Sequence, residues 1–69
     1  MIVTFDRESA AISRAAKRFA EKGLSMDLDM DRAFIQGQYV YAPFIEADED
    51  GSWLATCHIA TGEVGSTLQ

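Results

Sequence analysis

Residues 7–22 contain neither Gly nor Pro and are rich in Ala, Arg, Lys and Glu, residue types that favour an α-helix. Asp6 precedes them, where an N-cap residue is expected. On a helical wheel the apolar side chains lie on one side and the bases on the other. Gly23 can take a positive φ as the residue after the helix. The segment therefore predicts one amphipathic helix over residues 7–22.

The apolar side of this helix is built mainly from small side chains, which allow a helix to approach a sheet closely. Its members are Ile12, Ala15, Ala16, Phe19 and Ala20. Ile12 and Phe19 are the two large ones, and burying each would contribute about 1.5–3 kcal/mol. We therefore expect the helix to pack across a sheet, with these two side chains as its main anchors.

The remaining segments have the patterns of short strands. Residues 2–5 are apolar and β-branched. Residues 24–31 alternate strictly between Leu or Met and Ser or Asp, which predicts a strand with one buried face. A further strand is predicted over 34–42, with Gly37 as a bulge or a point of close approach, and Pro43 marks an edge or a bend.

Asp50 and Gly51 form the strongest hairpin signal in the chain, because this pair suits a two-residue type I′ turn. Such a turn would pair residues 40–49 with residues 51–60 in a hairpin, with a returning strand over 52–60. A turn over 61–63 and a short last strand or frayed tail over 64–69 would complete the chain. The expected register places Trp53 opposite Asp48, Ala55 opposite Glu46 and Cys57 opposite Phe44.

This order of elements predicts an α+β fold in one domain over 1–69. One N-terminal helix packs on a small, mainly antiparallel sheet in the order β-α-β-β-β. The chain has only one long helix, so the second face of the sheet would be uncovered. Exposed apolar or aromatic groups on that face would indicate a partner protein or a homodimer.

The charges of the chain are divided unevenly along its length. Residues 1–23 hold five bases and three acids, a net of +2, and residues 24–69 hold one base and eight acids, a net of −7. The whole chain of 69 residues therefore carries −5. The acidic part should repel nucleic-acid phosphates and attract basic proteins, with contacts that weaken as salt rises. The alternative is that the acids only keep a small protein soluble.

The acids at 27, 29 and 31 resemble the start of a calcium loop, but the sixth and twelfth positions of that loop are Arg32 and Gln38. A calcium loop needs Gly and Glu there, so only weak binding of a divalent ion is left as an alternative. Cys57 and His58 are too few ligands for zinc, and on a strand they point to opposite faces. We expect no catalytic residues, no metal, no cofactor and no enzymatic activity.

The cellular compartment is predicted from the cysteine content and from the length of the apolar runs. The chain has one Cys and no apolar run long enough to span a membrane. Asp6 interrupts the apolar start where a signal peptide would continue. These features predict a cytoplasmic protein that does not enter a membrane.

The segment EDGSWLA at residues 49–55 is similar to a hairpin of small phage-encoded anti-CRISPR proteins of the type I class. An acidic turn ends in Gly and is followed by Trp53, Leu54 and Ala55. The resemblance implies a DNA-mimicking inhibitor that binds a CRISPR surveillance complex and blocks target DNA, acting in the host cytoplasm. It also implies acids that occupy Lys-rich DNA-binding grooves.

The leading interpretation is therefore an inhibitor or binding protein that engages a basic, nucleic-acid-handling protein through an acidic surface. One alternative is a nucleic-acid-binding module that uses the basic helix face, although the net charge argues against direct nucleic-acid binding. Another is an antitoxin-like partner or a subunit. The predicted partner-binding residues are the acids of the strand and hairpin with three aromatics: Asp27, Asp29, Asp31, Glu46, Asp48, Glu49, Asp50, Trp53, Tyr39 and Tyr41.

Overall fold

The computed structural model describes residues 7–46 and 53–68. One helix, α1 (Arg7–Glu21), is followed by a 3₁₀ turn at Met30–Arg32 and by four strands. The strands are β1 (Phe34–Gln36), β2 (Tyr39–Pro43), β3 (Trp53–His58) and β4 (Val64–Leu68). They form one antiparallel sheet in chain order, and α1 packs on one face of it. The α+β class, with the helix before the sheet, is confirmed.

Helix α1 ends as the sequence predicts. The N–H of Leu24 donates to the carbonyl of Phe19 at 2.9 Å, and the N–H of Gly23 donates to the carbonyl of Ala20 at 3.0 Å. Gly23 has a φ of 76°, so these bonds form a Schellman motif with glycine in the left-handed region. Leu24 folds back and packs against the core.

The core lies between α1 and the middle of the sheet. Ala11, Ala15 and Phe19 are the buried residues of the helix. Ile12 is only half-buried and Ala20 is exposed, so the packed side is rotated toward Ala11 relative to the prediction. The three buried residues pack with Leu28 and with small side chains of the two central strands: Val40, Ala42, Ala55 and Cys57. Small residues on both sides let the helix approach the sheet closely, and Phe19 is the largest side chain enclosed there.

Two predicted strands differ from the structure. Residues 24–31 form turns, an isolated bridge and the start of the 3₁₀ turn, so the predicted strand there is wrong. Asp disfavours strands, and Asp29 caps the 3₁₀ turn instead by accepting the N–H of Asp31 at 3.2 Å. Of the alternating apolar residues only Leu28 is buried, whereas Met26 is 90% exposed.

The strand predicted over 34–42 is in fact a hairpin of β1 and β2. Gly37 lies in its two-residue turn with a φ of 62°, and Gln38 does not take a positive φ. These signs match a type II′ turn, which needs glycine at its first central position. Gly37 is therefore a turn residue and not a bulge. The predicted strand over 2–5 lies outside the described residues.

The register between β2 and β3 is four residues away from the prediction. Cys57 pairs with Val40 and Ala55 pairs with Ala42, so a continuous ladder from a two-residue turn at 50–51 is wrong. A shift by an even number keeps each side chain on its face. The observed register puts Ala42 under the helix, where the predicted one would bury the carboxylate of Glu46 at a large cost. Trp53 pairs with Leu68 of β4.

Candidate interaction surface

The chain before the 3₁₀ turn lies alongside the end of β2. The N–H of Ile45 donates to the carbonyl of Asp27 at 2.9 Å, and the N–H of Asp29 donates to the carbonyl of Pro43 at 2.9 Å. Between these bonds Leu28 forms a bridge with Phe44 and supplies the buried side chain. Leu28 points inward, whereas Asp27 before it and Ile45 after Phe44 are exposed.

Trp53 joins this surface from β3. The N–H of Phe44 donates to the carbonyl of Trp53 at 3.1 Å, which fixes the start of β3 beside the end of β2. Together these segments line an open cleft of about 420 Å³. We call this cleft the Met26 patch, and its residues are Met26, Asp27, Phe44, Ile45, Glu46 and Trp53.

The Met26 patch exposes large apolar side chains. Met26 is 90% exposed, Ile45 63% and Trp53 42%. Leaving such side chains in water forfeits burial free energy of about 1.5–3 kcal/mol each. Grouped exposed apolar residues commonly mark an interaction site. Met is adaptable in shape, and Trp is a frequent anchor of protein interfaces.

Among the described residues that line the Met26 patch, the two charged ones are acids. Asp27 and Glu46 are exposed carboxylates at its edge, and none of its described lining residues is basic. A cleft lined by apolar side chains and two carboxylates suits a ligand that carries an apolar side chain flanked by Lys or Arg.

The other predicted acids have different positions. Asp29 is half-buried, caps the 3₁₀ turn, and has an oxygen 3.6 Å from Nε of Arg32, so its carboxylate has structural contacts. Asp31 is exposed in the 3₁₀ turn. The three acids at 48, 49 and 50 lie outside the described residues. The structure thus brings Asp27 and Glu46 together, but the three acids at 27, 29 and 31 do not share one strand face.

Tyr39 and Tyr41 lie away from Trp53. They project from β2 on the sheet face opposite α1, since Val40 and Ala42 between and beyond them point into the core. The three aromatic residues predicted to act at one interface are therefore divided between two surfaces. Trp53 belongs to the Met26 patch, and the two tyrosines belong to the sheet face opposite α1.

Sequence reasoning missed Met26 and Ile45. Met26 was expected in the core because it alternates with Asp27, and nothing in the local sequence shows that the strand would be replaced by turns. Ile45 could have been found, because it follows Phe44 in an extended segment and must point to the other side.

Cys57 and His58 point to opposite faces, as predicted. Cys57 is buried in the core, and its burial raises the pKa of the thiol, with the charge of Arg18 lowering it by a smaller amount. His58 lies on the outer face, where its Nδ1 accepts the N–H groups of Ala60 and Thr61 at 3.1 and 3.2 Å. Nδ1 of His58 therefore holds the β3–β4 turn in place.

Within residues 7–46 and 53–68, no cluster of three His, Cys, Asp or Glu side chains could hold a metal ion. The helix in the same part of the chain is too short and too polar to cross a membrane. Comparisons with protein-family models, curated proteins and solved structures find no match to this chain.

Proposed function

We propose that this protein is a non-enzymatic binding protein whose Met26 patch holds a basic segment of a protein partner. The observation that supports the proposal is the combination of exposed Met26, Ile45 and Trp53 with two carboxylates at one cleft. A cleft of about 420 Å³ has room for one or two large apolar side chains. Asp27 and Glu46 would then contact Lys or Arg beside them.

The two components of this surface contribute differently to binding. Burial of the apolar side chains supplies affinity, because it removes exposed hydrocarbon from water. The carboxylates supply faster encounter and selectivity for a basic partner, and their effect is screened by salt. The net charge of −5 adds to the long-range attraction for such a partner.

For the identity of the partner we propose a CRISPR surveillance complex. The support is the resemblance of residues 49–55 to anti-CRISPR hairpins, because Trp53 of that segment lies in the Met26 patch. The protein would occupy a Lys-rich groove as a DNA mimic and block target DNA. The phage origin and the host cytoplasm belong to the same proposal.

The test uses a purified type I surveillance complex and measures binding by interferometry and target-DNA binding by mobility shift. Met26→Lys should weaken binding at least tenfold, because it places a cation on the surface that meets the basic partner. Ser25→Lys is the matched control, since Ser25 is exposed next to Met26 but does not line the cleft. The control should bind like the wild type.

Equal loss in both variants, or in neither, would contradict the assignment to the Met26 patch. If the wild type does not bind the complex but binds another basic protein through Met26, only the anti-CRISPR identity fails. Binding of plain duplex DNA at low salt would instead support the nucleic-acid-binding alternative and overturn the proposal.

A further inference from the structure

The sheet face opposite α1 carries a continuous row of rings. Phe34 stacks on Tyr41 with centroids 5.2 Å apart and an interplanar angle of 16°. Tyr41 lies 6.2 Å from Tyr39, and Tyr39 meets the His58 ring edge-on at 5.0 Å. The row crosses β1, β2 and β3. We call this surface the open face.

The open face is uncharged and exposed in part, at the end that carries the rings, whereas Leu54 at its other end is buried. Phe34 and Tyr39 are each 40% exposed, although aromatic side chains of this size contribute most when they are buried. The register and the alternation of the strands give the outward residues. They are Phe34, Gln36, Tyr39, Tyr41, Pro43, Leu54, Thr56, His58, Gly65 and Thr67. Among these described positions none is Asp, Glu, Lys or Arg.

The charge distribution indicates which occupant this face fits. Two copies of a chain with net charge −5 repel each other, and a twofold contact places each patch against a copy of itself. A twofold contact through the Met26 patch would bring Asp27 and Glu46 against their own copies. A contact through the open face brings no like charges together. We propose that the open face binds the open face of a second copy, which makes the protein a twofold-symmetric homodimer.

The polar groups of the open face are also self-complementary. Nδ1 of His58 already accepts two backbone N–H groups, so in the neutral ring Nε2 carries the hydrogen and is a donor. The hydroxyls of Tyr39 and Tyr41 and the amide of Gln36 can each donate and accept. A face with both donors and acceptors can satisfy a copy of itself, which a face of acceptors alone cannot.

A row of rings also suits stacked bases of a single-stranded nucleic acid, but that occupant is disfavoured. Binding of single strands combines stacking with a basic groove along the phosphates. The ten outward residues of the open face supply no cation, and the chain is acidic overall.

The open face is small for a protein interface. Four strands spaced about 4.8 Å apart, with two or three outward residues each, give a face of roughly 300 Å² per copy. Stable complexes bury about 800 Å² per partner. We therefore expect weak association, with a Kd between about 10 μM and 1 mM.

Sedimentation equilibrium between about 10 μM and 1 mM tests the proposal. The weight-average mass should rise from 7.6 kDa toward twice that value. Tyr39→Glu and Tyr39→Lys should each weaken association at least tenfold, because each puts like charges on both copies. An equimolar mixture of the two variants should associate again, since their charges are opposite. Far-UV circular dichroism verifies that each variant is folded.

A second pair of variants changes the side-chain shape less, so that loss of association can be separated from unfolding. Gln36→Glu adds a charge to the open face with almost no change of shape, whereas Gln38→Glu makes the same change in the adjacent turn. Only the first should weaken association. Met26→Lys should leave the dimer intact, so the dimer and the proposed function can fail separately. A wild type that stays at 7.6 kDa up to about 1 mM, or that binds oligothymidine through Tyr39, overturns the proposal.

Discussion

At the scale of single residues, Phe19 carries the largest part of the core. Its side chain is 1% exposed, and its neighbours in the core are mostly Ala and other small residues. Because a packed interior relaxes only partly around a deleted ring, a cavity would remain.

Phe19→Ala should therefore lower the free energy of unfolding by about 3–5 kcal/mol, which could abolish folding in so small a domain. Thermal denaturation followed by circular dichroism measures the effect. Ala20→Ser on the exposed side of the same turn is the control and should change stability by no more than about 0.5 kcal/mol. Equal melting temperatures of Phe19→Ala and the wild type would contradict the assignment of Phe19 to the core.

At the scale of elements, the 3₁₀ turn at Met30–Arg32 positions the Met26 patch. The chain that leads into this turn lies beside β2. There the N–H of Asp29 donates to the carbonyl of Pro43, and the carbonyl of Asp27 accepts the N–H of Ile45. The carboxylate of Asp29 caps this turn by accepting the N–H of Asp31. The cap therefore stabilises an element on which the candidate interaction surface depends.

Asp29→Ala should lower the free energy of unfolding by about 0.5–2 kcal/mol, the usual effect of losing such a cap. In a domain of this size that corresponds to a melting temperature lower by roughly 4–8 °C per kcal/mol. Asp31→Ala is matched in residue type and lies two positions away, with its side chain exposed. It should change the melting temperature little, and equal effects of the two variants would show that Asp29 does not act as a cap.

At the scale of the whole molecule, the two acids of the Met26 patch and the bases of α1 line different clefts, although Glu63 lies beside Arg18 and Lys22. The bases of α1 lie along its exposed side, and Arg18 there pairs with Glu21 at 3.3 Å. Asp27 and Glu46 edge the Met26 patch. A basic partner would therefore be attracted to one surface and repelled by the other.

Reversing the acids with Asp27→Lys and Glu46→Lys should reduce the association rate with the partner at least tenfold at low salt. The difference from the wild type should shrink as ionic strength rises, because surface charges are screened. Arg14→Glu with Lys17→Glu on α1 should change the rate little or raise it. Stopped-flow or interferometric kinetics at several salt concentrations provide the measurement. If only the helix reversals reduce binding, the basic face of α1 is the working surface.

Local sequence signals were sufficient where neighbouring residues alone decide the structure. The helix and its end at Gly23 were predictable, because composition, the apolar stripe and a glycine after the last turn act within a few residues. The α+β class and the strand over Val64–Leu68 were predictable for similar reasons. Residues 34–42 fit two structures equally well from their sequence. One is a continuous strand with Gly37 inside it, and the other is a hairpin with Gly37 in its turn.

The register of β2 and β3, and with it the candidate site, was decided only by the tertiary structure. Ala42 and Glu46 are four residues apart, so alternation assigns them the same face, and only packing beneath α1 selects Ala42 as the partner of Ala55. The strand predicted from the alternation at 24–31 does not form. Of its alternating apolar residues Leu28 alone is buried in the core, and Asp29 caps the 3₁₀ turn. Met26 was thereby left at the surface beside Ile45 and Trp53, since contacts between distant segments depend on packing that no local pattern contains.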